Sequence, residues 1–377
     1  MATKKEDSLC APSPLPKLSI PPGASAKVQI IDTTSRIDAP LALFMQPVIG
    51  DFDTIRGTPA FSFLVEQVSS QRKVVFDLGL RKDWQNLPPA TLALVSTPGW
   101  TLESEKNVSE ILQENDVDVA GGAIEAVIWS HWHFDHIGDM TSFPESTVLI
   151  SGKGVAEALL PGFPTNPESL LLESDFFGRE HREIDFGDES GIQLGHFTAV
   201  DYFQDGSFYL LNAPGHAIGH ICGLARVTSA QEGAAEDTFI FMGGDAAHHG
   251  GEFRPSQYLP LPKEIRPSPY KHKYPIACPG HVFQAIHPGE KGDAPFYHIE
   301  GVLHHDTKDA TQSAANMAEF DAHENVLVIV AHDATLLDPS IGIEYFPNGT
   351  MKDWKAKGYA NRLHWAFLQD FVQAVEN

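Results

Sequence analysis

A chain of 377 residues, 42% hydrophobic and 10% aromatic, is long enough to bury a large core as one big domain or two ordinary ones. Its 50 Asp and Glu against 26 Lys and Arg give a formal net charge of −24, and so acidic a surface repels phosphodiester backbones and anionic head groups, which argues against nucleic acid and membrane surfaces as partners. Three cysteines (Cys10, Cys222, Cys278) cannot build a disulfide framework, no run approaches the roughly 18 apolar residues of a membrane span, and no apolar segment of a secretory signal follows the charged start, so the reading is a cytoplasmic protein with a small-molecule partner.

In chain order, residues 1–24 carry Pro12, Pro14, Pro16, Pro21 and Pro22 with few large apolar groups, which predicts a flexible N-terminal leader. Residues 25–377 contain no dividing linker and are expected to form a single domain. Strands are predicted at 26–31, 61–65, 73–78, 124–130, 147–150, 207–211, 220–227, 239–243 and 326–331. Each is short, rich in β-branched or aromatic residues, and bounded by Gly, Pro, Asp or Ser. Helical periodicity marks 105–115, 307–323 and 361–375, the last with Leu363, Ala366, Phe367, Phe371 and Ala374 on one stripe. Many strands with scattered helices suggest sheets covered by helices. Residues 250–300 stand apart, with nine prolines and the aromatics Tyr258, Tyr270, Tyr274, Phe283, Phe296 and Tyr297. That content predicts an ordered insertion that lines or covers a site.

The chemistry concentrates in Ser130-His131-Trp132-His133-Phe134-Asp135-His136, directly after an apolar strand. Just past a strand end, His131 and His133 can point one way while Asp135 and His136 swing to a second position. Imidazole and carboxylate are matching ligands for borderline-soft divalent ions, so two adjacent cation sites are expected.

This stretch resembles the HxHxDH signature of the metallo-β-lactamase superfamily, and four further elements follow the family's order. Phe76-Asp77-Leu78-Gly79 is similar to its early strand-ending Asp. Asn212-Ala213-Pro214-Gly215-His216 is similar to its PGH turn, Met242-Gly243-Gly244-Asp245 to its strand-ending GD, and Val330-Ala331-His332-Asp333 to its final histidine. The resemblance implies an α/β (α+β) fold, a four-layer αβ/βα sandwich with two mixed β-sheets. It assigns His131, His133 and His216 to one metal, Asp135, His136 and His332 to the other, and Asp245 to both. Asp77 would orient a ligand, and His220 would make a structural hydrogen bond. The cofactor implied is two zinc ions, with manganese or iron as substitutes.

The activity implied is that of a binuclear hydrolase: a metal-bridging hydroxide opens a cyclic ester or cyclic amide, and Asp135 or His248 supplies a proton. His248 stands where lactonases acting on acyl-homoserine lactones carry a substrate-contacting tyrosine. The stretch GDAAHHGGEFRPSQYLPLP is similar to fungal members associated with lactone or lactam breakdown, which extends the expectation to detoxification of benzoxazolinone-type lactams. Within the hydrolases, the alternative is thioesterase or glyoxalase-II-like chemistry; from another class, it is an iron-dependent oxygenase or oxidoreductase. Of the remaining candidates, His304 and His305 are expected at a helix cap or on the surface. His249, Trp84 and Trp100 are read as either packing residues or parts of a substrate pocket.

Overall fold

A computed structural model describes residues 7–187 and 191–376. Two six-stranded sheets form its centre. In the first, Ala26–Ile31 and Ser62–Gln67 pair antiparallel and lead to Lys73–Phe76, which then runs parallel to Ala126–Ile128, Val148–Gly152 and His181–Ile184 in turn. In the second, Ile192–Leu194, Phe197–Asp201, Phe208–Asn212, Ile221–Thr228 and Thr238–Met242 alternate in direction, and Val326–Ile329 adds parallel to the last. Both sheets are therefore mixed, as the resemblance implied.

Burial on both faces explains why these strands read as near-continuous apolar runs rather than alternating ones. One core joins the sheets through Val28, Phe63, Phe76, Ile128, Leu210, Ile240 and Leu327. The outer face of the first sheet packs Val75, Val127 and Leu149 against Val108, Leu112 and Ile137 of the short helices Val108–Gln113 and Phe134–Ile137. The outer face of the second packs Phe239, Phe241 and Val328 against Met317 and Phe320 of the helix Thr307–Asp321. The order is thus helix, sheet, sheet, helix.

Several elements differ from the sequence expectation. A three-stranded sheet of Thr54–Thr58, Arg36–Pro40 and Thr101–Glu103 lies apart from the main pair, and its short runs carry no strong apolar period. The single helix expected over 361–375 is divided into Tyr359–Leu363, a 3-10 segment Ala366–Phe371, and Val372–Glu376. Leu363 belongs to the inter-sheet core and Phe367, Leu368 and Phe371 to a separate cluster, so one straight stripe cannot serve both. The described part of the expected flexible leader, residues 7–24, is held to the body: Leu9 N donates to Leu261 O, Arg226 Nη2 donates to Pro21 O, and Leu18 and Ile20 pack on the second sheet. Residues 1–6 lie outside the described residues. The Pro-rich stretch 250–300 packs Leu261, Tyr270, Phe283, Phe296 and Tyr297 against Leu41, Phe44, Phe367 and Phe371. Among the described residues, no helix is long and apolar enough to cross a membrane.

Candidate metal centre

Strand direction brings the candidate ligands to one edge. Lys73–Phe76 and Ala126–Ile128 are parallel and end beside each other at Asp77 and Ser130. In the second sheet, Phe208–Asn212, Thr238–Met242 and Val326–Ile329 share a direction, and their carboxyl ends lead into His216, Asp245 and His332. Ligand sites in open α/β sheets gather at such ends. Two glycines allow the close approach. Gly215 has φ +123°, and a Cβ there would meet Ala310 N at 1.9 Å, so the His216 turn packs directly on the long helix. Gly244 has φ +51°, and a Cβ there would meet Ser130 Cβ at 2.9 Å.

Seven side chains converge in two groups that share Asp245. His216 Nε2 stands 3.2 Å from His131 Nε2 and 2.9 Å from His133 Nδ1. Asp245 Oδ2 is 3.7 Å from His131 Nε2 and 3.4 Å from His216 Nε2. On the other side, His136 Nε2 and His332 Nε2 are 3.3 Å apart, and Asp245 Oδ1 lies 3.1 and 3.2 Å from them. Asp135 Oδ2 completes that group at 3.5 Å from His332 Nε2 and 3.9 Å from His136 Nε2. Ligands about 2.0–2.1 Å from one tetrahedral ion sit roughly 3.3 Å from each other, so these edges have the dimensions of two four-ligand sites.

The electrostatics agree with that fit. Burial foremost, then the neighbouring imidazoles, pushes His131 well below the ordinary histidine range; His216 is lowered in the same way, and His133 falls to about 3. These three imidazoles are therefore held neutral, the form in which histidine ligates a cation. Burial opposes charge on His136 and His332, but Asp245 and Asp135 together, with Asp77 beside His136, outweigh it and raise both. Asp245 is in turn held well below the usual carboxylate range, because His136, His332 and His248 overcome its burial. Cation, carboxylate and imidazole requirements meet in one place.

The sequence pattern of the metallo-β-lactamase superfamily matches residues 55–226. The chain is 41% identical over 375 residues to gamma-lactamase FDB1 of Fusarium pseudograminearum (strain CS3096), an alignment covering 96% of this chain and 86% of that one. The chain belongs to the metallo-β-lactamase superfamily. It is also 40% identical over 366 residues to cytochrome P450 monooxygenase mpaDE of Penicillium roqueforti (strain FM164), where it covers 96% of itself but spans only 39% of that longer protein. Among solved structures, an AiiA mutant of B. thuringiensis with N-decanoyl-L-homoserine bound at its active site aligns with TM-score 0.54 at 16% identity, covering 86% of this chain and 99% of that one, which shows a common fold.

As a hydrolase of this superfamily, the chain carries a His and Asp cluster suited to metal, and the outer contacts of that cluster are specific. Asp77, at φ +61°, accepts from Ser130 N at 2.6 Å through Oδ1 and faces His136 Nδ1 at 3.0 Å through Oδ2. His332 Nδ1 donates to Pro59 O at 2.7 Å, which leaves Nε2 to face the centre. His220 points away from the ligands: its Nδ1 donates to Ala213 O at 2.9 Å, and its Nε2 accepts from Asp245 N at 3.0 Å.

A cavity of about 250 Å³ opens onto the hydrolase's metal cluster. Phe44, Trp100, Trp132, Phe134, Ile37 and Ile55 contribute to its walls, while His133, Asp135, Asp245, His248 and His332 mark its metal end; no Lys or Arg is among its lining residues. His248 is buried, with Nε2 3.2 Å from Asp245 Oδ2 and its ring 4.4 Å from that of Phe44. Trp100 lines the cavity, but Trp84 does not. His249 is turned away, donating from Nε2 toward Asp370 Oδ2 at 3.2 Å. The stretch 250–300, expected to line or cover the site, contributes none of the lining residues; it braces the wall segment around Phe44, and Val302 and Leu303 just beyond it reach the cavity.

One histidine lies elsewhere than the sequence predicts. His304, expected at a cap or on the surface, has Nδ1 3.2 Å from Nδ1 of His216. The cap of the long helix is Asp306, whose carboxylate accepts from Lys308 N and Asp309 N. Neither spacing nor composition links His304 to a histidine 88 positions earlier; only the return of the chain across the cavity wall does.

Proposed function

We propose that the protein is a binuclear zinc hydrolase that opens the ring of a neutral, flat, apolar lactam or lactone. The observation carrying this reading is the cavity: aromatic and aliphatic walls without a cationic residue, ending on the shared carboxylate Asp245. A substrate carboxylate placed along the walls, away from the metal end, would be desolvated there without a cationic side chain to pair with, whereas a neutral fused ring would bury apolar surface at roughly 25 cal/mol per Å². The relative named a gamma-lactamase supports the cyclic amide, and a benzoxazolinone-type lactam has the required neutrality and flatness.

Two divalent cations bound by the seven ligands would acidify a water and polarise the ring carbonyl. The donor set of imidazoles and carboxylates suits zinc and also accepts manganese or iron. The chain's own residues do the rest. Trp100 stands edge-on between Phe44 and Phe134, with ring centroids 6.4 and 6.0 Å from theirs, an aromatic wall that orients a flat ring and excludes bulk water. His248 Nε2 and Asp135 lie at the metal end, where either can deliver a proton to the leaving heteroatom.

The test is a hydrolysis screen of metal-assayed protein on bicyclic aromatic lactams, matched lactones, acyl-homoserine lactones and acyl thioesters. The expected result is turnover of the neutral aromatic rings, abolished by chelator and restored by zinc. Cleavage of thioesters alone by fully loaded protein would contradict the reading.

A further inference from the structure

We propose that His304 is a positioning residue for the metal ligand His216, fixing that ligand's tautomer and the direction of its coordinating nitrogen; this rests on the metal-centre reading above. The chain of contacts starts at Phe44. Its carbonyl oxygen can only accept, and His304 Nε2 lies 2.8 Å from it, so Nε2 carries the hydrogen of His304. In the neutral ring, Nδ1 of His304 is then a bare lone pair. It faces Nδ1 of His216 at 3.2 Å, so that nitrogen of His216 must be the donor. The remaining nitrogen of His216, Nε2, is left as a lone pair aimed at His131, His133 and Asp245. A chain of two hydrogen bonds thus runs from a backbone carbonyl through one imidazole to the ligand, in the place where a ligating histidine needs an orienting partner.

The backbone around His304 is built to hold it there. His298–Ile299 pairs with Met45–Gln46, and Glu300 N donates to Phe44 O at 3.1 Å. Gly301 has φ +142°, and a Cβ there would meet Leu43 O at 2.0 Å. At the other end, His305 N donates to His216 O at 2.9 Å and Asp306 N to Gly215 O at 2.8 Å. Segment 298–306 is therefore fastened to both the cavity wall and the ligand turn, and His304 bridges the two. Its neighbours Val302 and Leu303 line the cavity, so the same segment shapes the substrate space and aims a ligand.

His216, His248 and His304 also lie close enough together to suggest a third cation position. A cation there would need Nδ1 of His216 as a ligand, and so His216 bridging two ions through both of its nitrogens, whereas the hydrogen-bonded chain gives both nitrogens of His304 and Nδ1 of His216 a partner and leaves Nε2 of His216 to the centre.

The test measures zinc retained by full-length protein during titration with a graded chelator. In His304→Ala, affinity at one of the two positions should fall about 10- to 100-fold while the other is unchanged. His304→Gln should recover most of it, since an amide oxygen can accept from His216 while its NH2 donates to Phe44. His305→Ala, altering an exposed neighbour, should match the wild type. If His304→Ala does not fold, His304→Leu of similar bulk carries the same expectation. Retention of both affinities within about twofold in a folded His304 variant would overturn the proposal. So would a third zinc in the wild type that these variants lose, because His304 would then be a ligand itself. Wild-type protein that binds no zinc would instead overturn the centre on which the proposal rests, and zinc-loaded wild type that turns over no lactam would overturn the substrate reading alone.

Discussion

The two halves of the metal cluster are surrounded unequally. Around His136 and His332 the outer partners are a carboxylate and a carbonyl, Asp77 and Pro59, and Asp135 adds a charge of its own. Around His131, His133 and His216 the outer partners are a hydroxyl and an imidazole: Ser130 Oγ lies 3.1 Å from His131 Nδ1, and His304 lies beside His216. A carboxylate partner raises the basicity of the imidazole it holds, and a carboxylate ligand adds direct attraction, so the half with Asp77 and Asp135 should grip a dication more firmly. The three-imidazole half relies on Asp245 for its only negative charge. Similar ligand counts therefore do not mean similar affinities.

The largest effect should come from removing what the halves share. Asp245→Ala should lower turnover and zinc content at both positions by more than the roughly 10- to 100-fold that loss of an outer partner costs, as read by metal analysis and kinetics on one preparation. Asp77→Asn should next reduce affinity by about 10- to 100-fold, but at the firmer position only, which would narrow the gap between the halves in a chelator titration. Equal weakening of both positions would break the comparison.

Trp100→Leu touches neither half. It should raise KM for an aromatic ring about three- to tenfold, the value of an aromatic contact, with zinc content unchanged and kcat nearly so.

The smallest effect concerns Glu252, a buried carboxylate near the centre that orients no ligand. It accepts from the backbone N–H groups of His248 and His249, and burial pushes its pKa up to about 7. Because the folded value exceeds the unfolded one, near 4.5, its contribution to stability is complete below that pH and is lost as pH rises through 7. Thermal melts of wild type against Glu252→Gln should therefore diverge in favour of the variant between about pH 4.5 and 8. Zinc affinity should not differ, which would show that contact with a ligand, rather than a nearby carboxylate, makes the halves unequal.

What the sequence revealed follows from how locally each feature is encoded. His131, His133, Asp135 and His136 lie within six residues, and each distant candidate ligand follows an apolar run, so strand ends could be read without knowing the pairing. The helix 307–321 was visible because one face is apolar over four turns and Asp306 caps it. His304 was hidden because its meaning depends on segment 298–306 crossing back to Phe44 and Gly215. The small sheet of residues 36–40, 54–58 and 101–103 was hidden because its burial is shared among short, mixed runs. The Pro-rich stretch looked like a cover for the site; its aromatics instead found partners in Phe367 and Phe371 at the far end of the chain, a contact no local pattern announces.

The most direct test is a zinc-edge anomalous diffraction map of zinc-loaded crystals. Two peaks about 3.5–4 Å apart, one beside His131, His133 and His216, the other beside Asp135, His136 and His332, with one oxygen of Asp245 toward each, are the predicted result. A single peak, or a pair with Asp245 turned away from both, would contradict it.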